Sequence, residues 1–313
     1  MSDRPLHVVT GALGYSGRAI TERLLARGIR VRTLTNSPNR PHPFGEALEI
    51  HPLAFQEPER LVASLRGAAV LYNTYWVRFD HRLFTFAQAV ANTKALFEAA
   101  AAAGVGRIVH VSILHPEGGR GLAYYEGKAE LERALHGVGV PHAILRPGVL
   151  FGRGDILVNN IAWMLRHLPV FGVFGDGRYA LRPLHVDDFA DLAVAQGLRE
   201  DEAVVDAVGP ETFTYRELAA TLGRILGVRR PIVRVSPVLG YWCARLLNPV
   251  VGDVVITREE IAGLMRGLLT SDAPAAGPTR LTDWATEHRD HLGRRYASEV
   301  RRRVRRDVAY EAV

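Results

Sequence analysis

The segment T-G-A-L-G-Y-S-G, from Thr10 to Gly17, constrains this chain more than any other part of its sequence. It follows an apolar run with strand character, Leu6 to Val9, and opens an amphipathic run with apolar residues at helical spacing, Arg18 to Arg27. A strand, a glycine-rich turn and a helix in this order are the context in which such a motif binds a dinucleotide. An ordinary glycine-rich loop is the alternative, and the regular glycine spacing favours the dinucleotide.

Each glycine of the motif has its own predicted role. Gly11 allows the tight turn after the strand, and Gly14 allows the backbone to approach a pyrophosphate. Gly17 allows the helix to pack closely on the sheet, so that the free N–H groups at the positive end of the helix face the phosphates. The motif therefore predicts a bound dinucleotide at the first turn between a strand and a helix.

The composition is that of a globular protein, with 48% hydrophobic and 23% charged residues among 313. A single cysteine, Cys243, excludes an intramolecular disulfide and a cysteine-rich metal site. The twelve histidines lack the spacing of metal ligands, so we predict no metal. The most apolar late stretch, Pro237 to Ile256, is interrupted by polar residues and a proline; we predict no transmembrane segment and expect a cytoplasmic protein.

Short strand-like runs alternate with helical patterns through the first half of the chain. The strands are predicted at Leu6 to Thr10, Ile29 to Leu34, Ala47 to Leu53, Ala69 to Tyr75, Ile108 to Ser112 and His142 to Leu145. The helices are predicted at Gly17 to Arg27, Pro58 to Leu65, Phe84 to Ala103 and Tyr124 to Gly137. This alternation predicts an α/β fold with a doubly wound parallel sheet and right-handed crossovers.

The pattern becomes less regular after Gly152. Asp155 to Leu168 is predicted to be helical, Pro169 to Gly177 is rich in turn residues, and Thr214 can cap a later helix with Glu217 three residues on. The rest is predicted to be mostly helical. We predict a nucleotide-binding domain at residues 1–152 plus about 183–210, a smaller, mostly helical C-terminal substrate lobe at about 153–182 plus 211–298, and a basic tail at 299–313.

The net charge of +6 is concentrated near the C-terminus, where arginines cluster from Arg294 to Arg306. Such a run can bind nucleic acid or an anionic membrane, or it can be a solvated terminal helix. The run contains Tyr296 but lacks aromatic residues interleaved for stacking on bases. We therefore favour a solvated helix and expect no specific nucleic-acid partner.

The residues after the second strand bear on the type of cofactor. An NAD site has an acidic residue about 20 residues beyond the glycines, which binds the ribose 2′-hydroxyl. Here the strand ends in T-L-T-N-S-P-N-R, which contains no Asp or Glu and includes Asn36 and Arg40. A guanidinium at Arg40, or at Arg32 within the strand, could meet a 2′-phosphate. The sequence therefore favours NADP over NAD. The alternative is that both arginines are solvated surface residues without a role in cofactor binding.

A candidate catalytic pair lies in A-Y-Y-E-G-K-A-E-L-E-R-A-L, where Tyr124 and Lys128 are spaced i and i+4 and share one helix face. A nearby ammonium lowers the pKa of a tyrosine, which suits proton transfer to a carbonyl or from an alcohol. Tyr125 competes for this role, but its spacing from Lys128 does not form the pair. The spacing often arises by chance, so a surface tyrosine beside a surface lysine is the alternative.

Taken together, the motifs resemble the short-chain dehydrogenase/reductase superfamily in its extended and atypical branches. The matching segments, in chain order, are T-G-A-L-G-Y-S-G, V-A-N-T-K-A-L-F-E-A-A, I-V-H-V-S, Y-Y-E-G-K, I-L-R-P-G-V-L-F-G and R-P-L-H-V-D-D-F-A-D-L-A-V. The segment G-D-I-L-V-N-N-I-A-W-M-L-R is similar to the epimerase/dehydratase-like subgroup of the complex I NDUFA9 type. The resemblance implies a Rossmann-type domain, a bound NAD(P) and, in active members, hydride transfer with a tyrosine as acid/base.

The resemblance also implies roles for individual residues. Tyr124 would be the acid/base, and Lys128 would hold the nicotinamide ribose. The implied cofactor-binding residues are Gly11, Leu13, Gly14, Tyr15, Ser16, Gly17, Asn73, Thr74, Tyr75, Pro147, Val149 and Leu150. The residues that match substrate-facing positions are Asn159, Asn160, Arg182 and His185.

The chain departs from the family pattern after the fifth strand. Extended members carry a Ser or Thr whose hydroxyl polarises the substrate carbonyl, and here Leu114 occupies that place. Ser112 could supply the hydroxyl if the local alignment shifts; otherwise it is a structural residue at the end of the strand. Since the loss of such a donor removes a few kcal/mol of transition-state stabilisation, the departure concerns catalysis more than cofactor binding.

These features predict an NAD(P)-dependent oxidoreductase that acts on a carbonyl or alcohol group of a small molecule. One alternative is a nucleotide-sugar epimerase or dehydratase that uses its cofactor transiently. A second alternative is a non-catalytic NAD(P)-binding sensor or assembly protein, which the missing Ser/Thr favours. Monomer and homodimer are both compatible with the sequence.

Overall fold

The computed structural model describes residues 4–312, and the chain divides into two compact units. Unit 1 comprises the chain up to Arg146 together with Phe189–Asp206, and unit 2 comprises Pro147–Asp188 together with the chain from Ala207 onward. The sequence placed the corresponding boundaries near residues 152, 183 and 210. In the structure the second boundary lies between Asp188 and Phe189, within helix α6, which is defined below.

The strands and helices follow one another in an α/β order through the first half of the chain. The strands are β1 (Leu6–Thr10), β2 (Arg30–Thr35), β3 (Leu48–Pro52), β4 (Ala68–Asn73), β5 (Arg107–Val111), β6 (His142–Pro147), β7 (Leu150–Phe151), β8 (Phe171–Phe174), β9 (Ala180–Leu181), β10 (Leu184–His185), β11 (Ala203–Ala207), β12 (Phe213–Thr214) and β13 (Ile232–Val235). The α-helices are α1 (Tyr15–Ala26), α2 (Pro58–Leu65), α3 (Phe86–Ala102), α4 (Ala123–His136), α5 (Leu157–His167), α6 (Val186–Gly197), α7 (Tyr215–Ile225), α8 (Pro237–Val251), α9 (Arg258–Met265), α10 (Leu281–Glu287) and α11 (Glu299–Val304).

Unit 1 is built on one central sheet. Within the described residues this sheet is seven-stranded, in the order β11-β6-β5-β4-β1-β2-β3. The pairings from β3 through to β6 are parallel. The strand order reverses at β1, which has β4 on one side and β2 on the other, and this reversal leaves a crevice beyond the carboxyl ends of the strands. The predicted doubly wound, Rossmann-type fold is confirmed.

Helices flank this sheet and bury its apolar side chains. Helices α2, α3 and α4 pack side by side over a core that includes Leu71, Phe97 and Ile144. Helices α1 and α6 are joined by ion pairs from Arg23 and Arg27 to Asp191. Because parallel strands are covered on both faces, they form continuous apolar runs, which is why β1 is buried along its whole length.

Unit 2 contains three short strand pairs and a helical core. Strands β7 and β10 are parallel, β9 and β12 are antiparallel, and β8 and β13 are parallel. Side chains of α5, α7 and α10 pack together around Ile161, Leu222 and Leu281. The predicted cap of α7 is confirmed as a capping box, because the side chain of Thr214 accepts the N–H of Glu217 and the Glu217 side chain accepts the N–H of Thr214.

Two strands of unit 2 lie where the sequence indicated other structure. Strand β8 lies in the segment interpreted as turn-rich, and β13 lies in the part expected to be mostly helical. The two strands pair with each other from distant parts of the chain, so no local pattern reveals either of them. The C-terminal tail also departs from the solvated helix that the sequence favoured. Arg302 of α11 is buried, and its Nη1 donates to the oxygen of Gly154 at 2.8 Å.

A search of residues 4–312 finds no helix that combines the length and the apolar character needed to cross a membrane.

Arg107, at the start of β5, joins the central sheet to the chain that follows α6. Its Nε donates to the backbone oxygen of Gln196 and its Nη2 to that of Asp201, each at 2.7 Å. Gln196 lies in the last turn of α6, where helix carbonyl groups lack partners within the helix. Burial lowers the pKa of Arg107, and the nearby Asp201 opposes this effect. The arginine therefore fixes the end of α6 against the edge of the sheet.

We expect Arg107→Met to lower the free energy of unfolding by about 2–4 kcal/mol, because two carbonyl oxygens lose a charged donor. The matched control is Arg199→Met, which removes an exposed arginine that pairs with the Asp201 side chain and should change stability little. Chemical denaturation followed by circular dichroism measures both changes. Equal stability of the two variants would show that the Arg107 bonds do not hold α6.

Candidate functional site

The glycine turn after β1 brings the start of α1 close to the end of that strand. Gly11 has φ +69°, in the left-handed region that residues with a side chain rarely adopt. The N–H of Gly14 donates to the oxygen of Gly11 at 2.8 Å. A Cβ atom on Gly17 would lie 2.3 Å from the same oxygen, so this packing requires glycine at position 17.

The first turn of α1 offers backbone donors to an anion. Gly14 is the N-cap of α1 and has no side chain with which to cap it. The first N–H groups of the helix therefore keep the positive end that attracts phosphate. Tyr15 and Ser16 are partly exposed there, whereas Leu13 is buried in the turn. These donors fit the pyrophosphate of a dinucleotide, and Gly11, Gly14 and Gly17 allow the close approach.

A buried hydrogen-bond network joins the ends of β1 and β4. Thr10 Oγ1 donates to Asn73 Oδ1 at 3.0 Å and accepts the N–H of Thr74 at 2.8 Å. Thr74 Oγ1 donates in return to the oxygen of Thr10 at 2.6 Å. Asn73 Nδ2 lies 3.0 Å from His110 Nδ1, and Asn73 is fully buried. The Asn73 amide is thus bonded to Thr10 and His110 and positions the turn, and a cofactor contact at Asn73 stays a prediction.

Thr74 and Tyr75 lie at the carboxyl end of β4, beside the glycine turn. A Cβ atom on Gly11 would lie 3.4 Å from Thr74 Oγ1. The Tyr75 hydroxyl accepts a hydrogen bond from Asn92 Nδ2 of α3 at 2.9 Å. Both residues are partly exposed. They therefore line the carboxyl-end crevice, where the sequence predicted cofactor contacts.

Two residues predicted near a 2′-phosphate follow the carboxyl end of β2. Asn36 is exposed immediately after the strand. Arg40 is buried, and its N–H donates to the oxygen of Ser37 at 3.1 Å, which closes the turn. This end of β2 adjoins the glycine turn, because the N–H of Gly11 donates to the oxygen of Leu34 at 3.1 Å.

Arg32 does not belong to this region. Its Nη2 donates to Glu49 Oε1 at 2.9 Å, and its Nη1 donates to the oxygen of Ser64 at 2.8 Å. It also lines a cavity of about 590 Å³ at the amino ends of the strands. The other residues of that cavity include Arg4, Arg30 and Arg66. The suggestion that Arg32 meets a cofactor is wrong, because the side chain faces the opposite end of the sheet.

Tyr124 and Lys128 lie one turn apart on α4, and Trp76 contacts both of them. The Trp76 ring makes an edge contact with Tyr124 at a centroid distance of 5.7 Å. Lys128 Nζ lies 4.3 Å from the centroid of the same ring, within range of a cation–π interaction. It also donates to the oxygen of Val111, at the end of β5, at 2.7 Å. Lys128 is only 2% exposed, so the alternative of a surface pair is excluded.

Burial lowers the pKa of Lys128 to about 7, and Glu132 opposes this shift. A buried ammonium loses its hydration, and the neutral amine is favoured as a result. The sequence suggested a full positive charge beside Tyr124. The structure instead places the amine near the midpoint of its titration at neutral pH, where it can gain or lose a proton.

Ser112, and not Leu114, places a hydroxyl near this pair. The N–H of Ser112 donates to the oxygen of Leu145 at 2.7 Å, directly after the Val111 carbonyl that holds Lys128. Ser112 Oγ is buried and has no hydrogen-bond partner among the residues that the structure describes. A buried hydroxyl without a partner is uncommon and suits a donor that a ligand completes. Leu114 is fully buried and cannot take this role.

Tyr125, the competing tyrosine, packs into the interior. It is buried, and a Cβ atom on Gly119 would lie 2.1 Å from its Cβ. Tyr124 is partly exposed. The packing therefore favours Tyr124 as the residue that reaches a ligand.

The cofactor contacts expected at Pro147 to Leu150 lie where unit 2 begins. Pro147 ends β6, and Val149 is buried in the core of unit 2. The oxygen of Val149 accepts the N–H of Leu184 at 2.9 Å, and Leu150 pairs with the same residue across β7 and β10. The Val149 carbonyl thus supports a strand pair of unit 2, and the expected contacts to a carboxamide stay a prediction.

Asn159 and Asn160 hold a backbone segment of unit 2. Asn159 Oδ1 accepts the N–H of Gly293 at 3.1 Å, and its Nδ2 donates to the oxygen of Arg295 at 2.9 Å. Asn160 Nδ2 donates to the oxygen of Ala297 at 2.9 Å, and its Oδ1 accepts the N–H of the same residue at 2.8 Å. Backbone partners therefore engage both ends of each amide, and the expected substrate role of Asn159 and Asn160 stays a prediction.

Arg182 also binds backbone groups. Its Nη1 donates to the oxygens of Ser271 and Ala273 at 2.8 and 2.7 Å. Arg182 therefore holds this loop, and its predicted role at the substrate stays a prediction. His185 packs on the rings of Phe151 and Trp284, at centroid distances of 5.1 and 6.1 Å, and its substrate role stays a prediction.

Two histidines come together with a glutamate although their spacing showed no metal pattern. Candidate ligand atoms of His136, His142 and Glu202 lie within 4.8 Å of one another. His142 Nδ1 lies 3.0 Å from the oxygen of Val140 and 3.2 Å from Glu202 Oε1, so Nδ1 carries the proton. His142 Nε2 then faces His136 Nδ1 at 3.0 Å. A hydrogen-bonded chain accounts for this cluster.

Sequence reasoning missed the aromatic wall behind Tyr124. Trp76 stacks on Phe86 at a centroid distance of 6.0 Å, and Phe86 contacts Tyr124 edge-on at 5.7 Å. The only signal in the sequence was the dipeptide Y-W, whose tyrosine ends the fourth predicted strand. That signal could not indicate contact with α4, because the two elements are far apart in the chain.

Lysine NMR can test the state of Lys128, since the chain contains only two lysines, Lys94 and Lys128. With ¹³Cε-labelled lysine we expect one signal that titrates with a pKa of about 7. Lys94→Arg should leave this signal in place and remove the other. If the remaining signal titrates near the ordinary lysine pKa of about 10.4, burial does not lower the pKa of Lys128.

The lowered pKa of Lys128 also predicts that the free energy of unfolding depends on pH. The folded-state pKa lies below the unfolded value of 10.5, so the unfolded chain binds more protons between about pH 7 and that value. The contribution of Lys128 to stability therefore rises with pH through this window. In Lys128→Met, this part of the pH dependence of the unfolding free energy should disappear.

The profile of a family described as NAD(P)H-binding matches residues 11–156. The match begins at the glycine turn and includes Tyr124, Lys128 and Ser112. It thus covers the elements that carry the candidate site in unit 1.

Several curated proteins are similar to this chain over most of its length. An uncharacterised protein of Mycobacterium tuberculosis is 28% identical over 72% of this chain, which spans about a quarter (24%) of that protein. A (4-alkanoyl-5-oxo-2,5-dihydrofuran-3-yl)methyl phosphate reductase of Streptomyces griseus is 29% identical over 72% of this chain and 74% of its own. The mitochondrial NADH-ubiquinone oxidoreductase 40 kDa subunit of Neurospora crassa is 25% identical over 81% of this chain and 68% of its own.

Among solved structures, the Citrobacter sp. triphenylmethane reductase complexed with NADP(H) has a TM-score of 0.71 at 16% identity, over 90% of this chain and 99% of that one. At this identity the likeness establishes the shared fold. Together with the match at the glycine turn, it confirms the resemblance that the motifs indicated. Residues 11–156 match the NAD(P)H-binding family, and the chain is similar over most of its length to a reductase and to a subunit of the NDUFA9 type, while a solved epimerase shares its fold.

Proposed function

We propose that this protein is an NAD(P)-dependent oxidoreductase that reduces a carbonyl group of a small molecule or oxidises the corresponding alcohol. The observation that carries the proposal is the placement of Tyr124 and Lys128 against Trp76 and the end of β5, in the same unit as the glycine turn. A binding protein needs the turn alone. It has no need for a partly exposed tyrosine one helical turn from a buried amine that titrates near neutrality.

The chain's own residues have distinct roles in this reaction. The cofactor, when bound, supplies or accepts the hydride. In the reducing direction the Tyr124 hydroxyl donates its proton to the carbonyl oxygen and becomes a tyrosinate, and in the oxidising direction the tyrosinate accepts the proton of the alcohol. Lys128 in its charged form favours the tyrosinate, and the Val111 carbonyl and the Trp76 ring fix the position of the amine.

Ser112 is the group that we assign to the substrate oxygen. Its buried hydroxyl has no partner among the described side chains and follows the residue that holds Lys128. A fixed donor of this kind stabilises charge that develops on oxygen, and the removal of one such donor typically costs about 3–4 kcal/mol in the transition state. Ser112 thereby takes the role for which Leu114 is unsuited.

Relatives with named activities support a reductase. The Streptomyces griseus protein is named as a (4-alkanoyl-5-oxo-2,5-dihydrofuran-3-yl)methyl phosphate reductase, and a Caulobacter vibrioides relative, 26% identical over 74% of this chain, is named as a ceramide reductase. An epimerase or dehydratase is the rival from the same fold, and a non-catalytic NAD(P)-binding protein is the rival from a different class. The end of β2 lacks an acidic 2′-hydroxyl ligand, which favours a reductase over an enzyme that retains NAD.

Tyr124→Phe is the direct test. After a panel of aldehydes and ketones has identified a substrate, we expect kcat to fall about 10²–10⁴-fold, because the proton donor is lost while the ring remains. Tyr125→Phe is the matched control and should keep its activity, since Tyr125 packs against Gly119. Full activity in Tyr124→Phe would refute the acid/base assignment, and tight nucleotide binding without turnover of any candidate would favour the non-catalytic alternative.

We propose that NADP is preferred over NAD, and that Arg40 and Asn36 contact the 2′-phosphate. The support is the position of both residues after the carboxyl end of β2, next to the glycine turn, in a loop without a carboxylate. A guanidinium at this place matches the geometry of a phosphate.

Arg40→Gln should weaken NADP binding about tenfold or more and leave NAD binding nearly unchanged, as expected for the loss of a charged hydrogen bond. Arg30→Gln is the matched control, because Arg30 is an exposed arginine at the opposite end of β2. Isothermal titration with both nucleotides gives the ratio of affinities. If Arg40→Gln weakens both nucleotides equally, the residue supports the fold and does not select the cofactor.

A further inference from the structure

Helix α8 of unit 2 directs its large apolar side chains outward. Val238, Leu239, Trp242, Leu246 and Val250 are between 52% and 78% exposed, and we call them the α8 face. Their spacing places them along one side of the helix. Monomeric proteins rarely expose contiguous apolar surface of this kind unless it interacts with something.

Small residues on the other side of α8 attach the helix to unit 2. Gly240, Ala244 and Val251 are its buried residues. A Cβ atom on Gly240 would lie 2.5 Å from the Phe174 ring, so the helix approaches β8 closely. The α8 face is therefore held outward by packing on its opposite side.

The basic C-terminal segment is fastened to the end of α8. Ser298 Oγ donates to the oxygen of Gly252, the C-cap of α8, at 3.1 Å. Asp253 accepts the N–H groups of Glu299 and Val300, each at 3.0 Å. The Arg301 guanidinium lies 3.0 Å from the place where a Cβ on Gly252 would be. Arg301, an exposed arginine of α11, thus adjoins one end of the apolar face.

Positive charge accompanies this face. Unit 2 contains 21 arginines and 16 acidic residues, so five of the six net positive charges of the chain belong to it. The Arg245 guanidinium lies 5.7 Å from the centroid of Trp242, and that of Arg258 lies 4.7 Å from the centroid of Tyr241. Aromatic and aliphatic side chains bordered by arginines are typical of a helix that lies in the headgroup region of a membrane.

We propose that the α8 face, together with the exposed Arg245 and Arg301 at its borders, docks unit 2 on an anionic phospholipid surface. The apolar side chains enter the boundary between headgroups and acyl chains, and the arginines bind lipid phosphates. At about 1.5 Å per residue the helix is about 22 Å long, so it lies on the membrane and does not span it.

Charge favours this occupant over a second copy of the chain. Two α8 faces brought together would oppose two units that each carry an excess of arginine. Arg245 itself is exposed within the same helix, next to Trp242 and Leu246. An anionic membrane surface accommodates both parts of this region, because its acyl chains meet the apolar side chains and its phosphates meet the arginines.

Vesicle co-sedimentation of the full chain tests the proposal. We expect binding to phosphatidylcholine vesicles with about one third phosphatidylglycerol, binding about tenfold weaker or absent on pure phosphatidylcholine, and release at high salt. Trp242→Ser/Leu246→Ser should reduce binding about tenfold or more, because the inserted apolar surface is lost. Arg245→Ser/Arg301→Ser should reduce it about tenfold or more, because two positive charges that would meet lipid phosphates are lost.

The matched control is Leu198→Ser/Val204→Ser, which removes two exposed apolar side chains from unit 1. Its vesicle binding should equal that of the unchanged chain, and thermal melting should show that all variants are folded. The proposal is overturned if the unchanged chain fails to bind anionic vesicles, or if the control weakens binding as much as the α8 variant. It is also overturned if sedimentation velocity shows a dimer that Trp242→Ser/Leu246→Ser dissociates while vesicle binding is absent, since a second copy then covers the face.

Discussion

The close approach of Gly17 to the carbonyl of Gly11 is the contact on which the nucleotide-binding unit depends. A Cβ at position 17 would lie 2.3 Å from that oxygen, and the start of α1 could not then lie against the end of β1. Two buried hydroxyls hold the turn from either side. Thr10 joins it to β4, and Thr33 Oγ1 donates to the oxygen of Val9 and accepts the N–H of Ala12. The turn that would hold a pyrophosphate is thus shaped by contacts within the chain itself.

Burial determines the chemistry of Lys128, which lies beside Tyr124 in the candidate site. Lys128 is one of only two lysines in a chain whose other basic residues are arginines. Arginine stays protonated when buried, whereas a lysine amine can become neutral. The pKa near 7 follows from the removal of water around this amine, while the Val111 oxygen and the Trp76 ring fix its position. A group that changes charge at working pH is suited to proton transfer beside Tyr124.

Three polar residues of unit 2 were expected at the substrate, and in the structure they bind backbone groups. Asn159, Asn160 and Arg182 belong to the types that contact substrates, yet each binds backbone groups of its own unit. Unit 2 has only short strand pairs, so several of its backbone segments lack ladder partners and take side-chain ones instead. Residue type and position in a motif indicate that these side chains are required there. They do not indicate whether the partner is a ligand or a loop.

The sequence by itself determined the order of strands and helices in unit 1, the glycine turn, and the spacing that places Tyr124 and Lys128 on one face. Each depends on interactions between residues that are close in the chain, where periodicity and backbone freedom act directly. Tertiary structure alone decided the pairing of β8 with β13, the commitment of Asn73 to His110, the contact of Trp76 with Lys128 and the position of Arg32 at the far end of the sheet. These contacts join residues that are distant in the chain, and burial and hydrogen-bond partners exist only once the elements have packed.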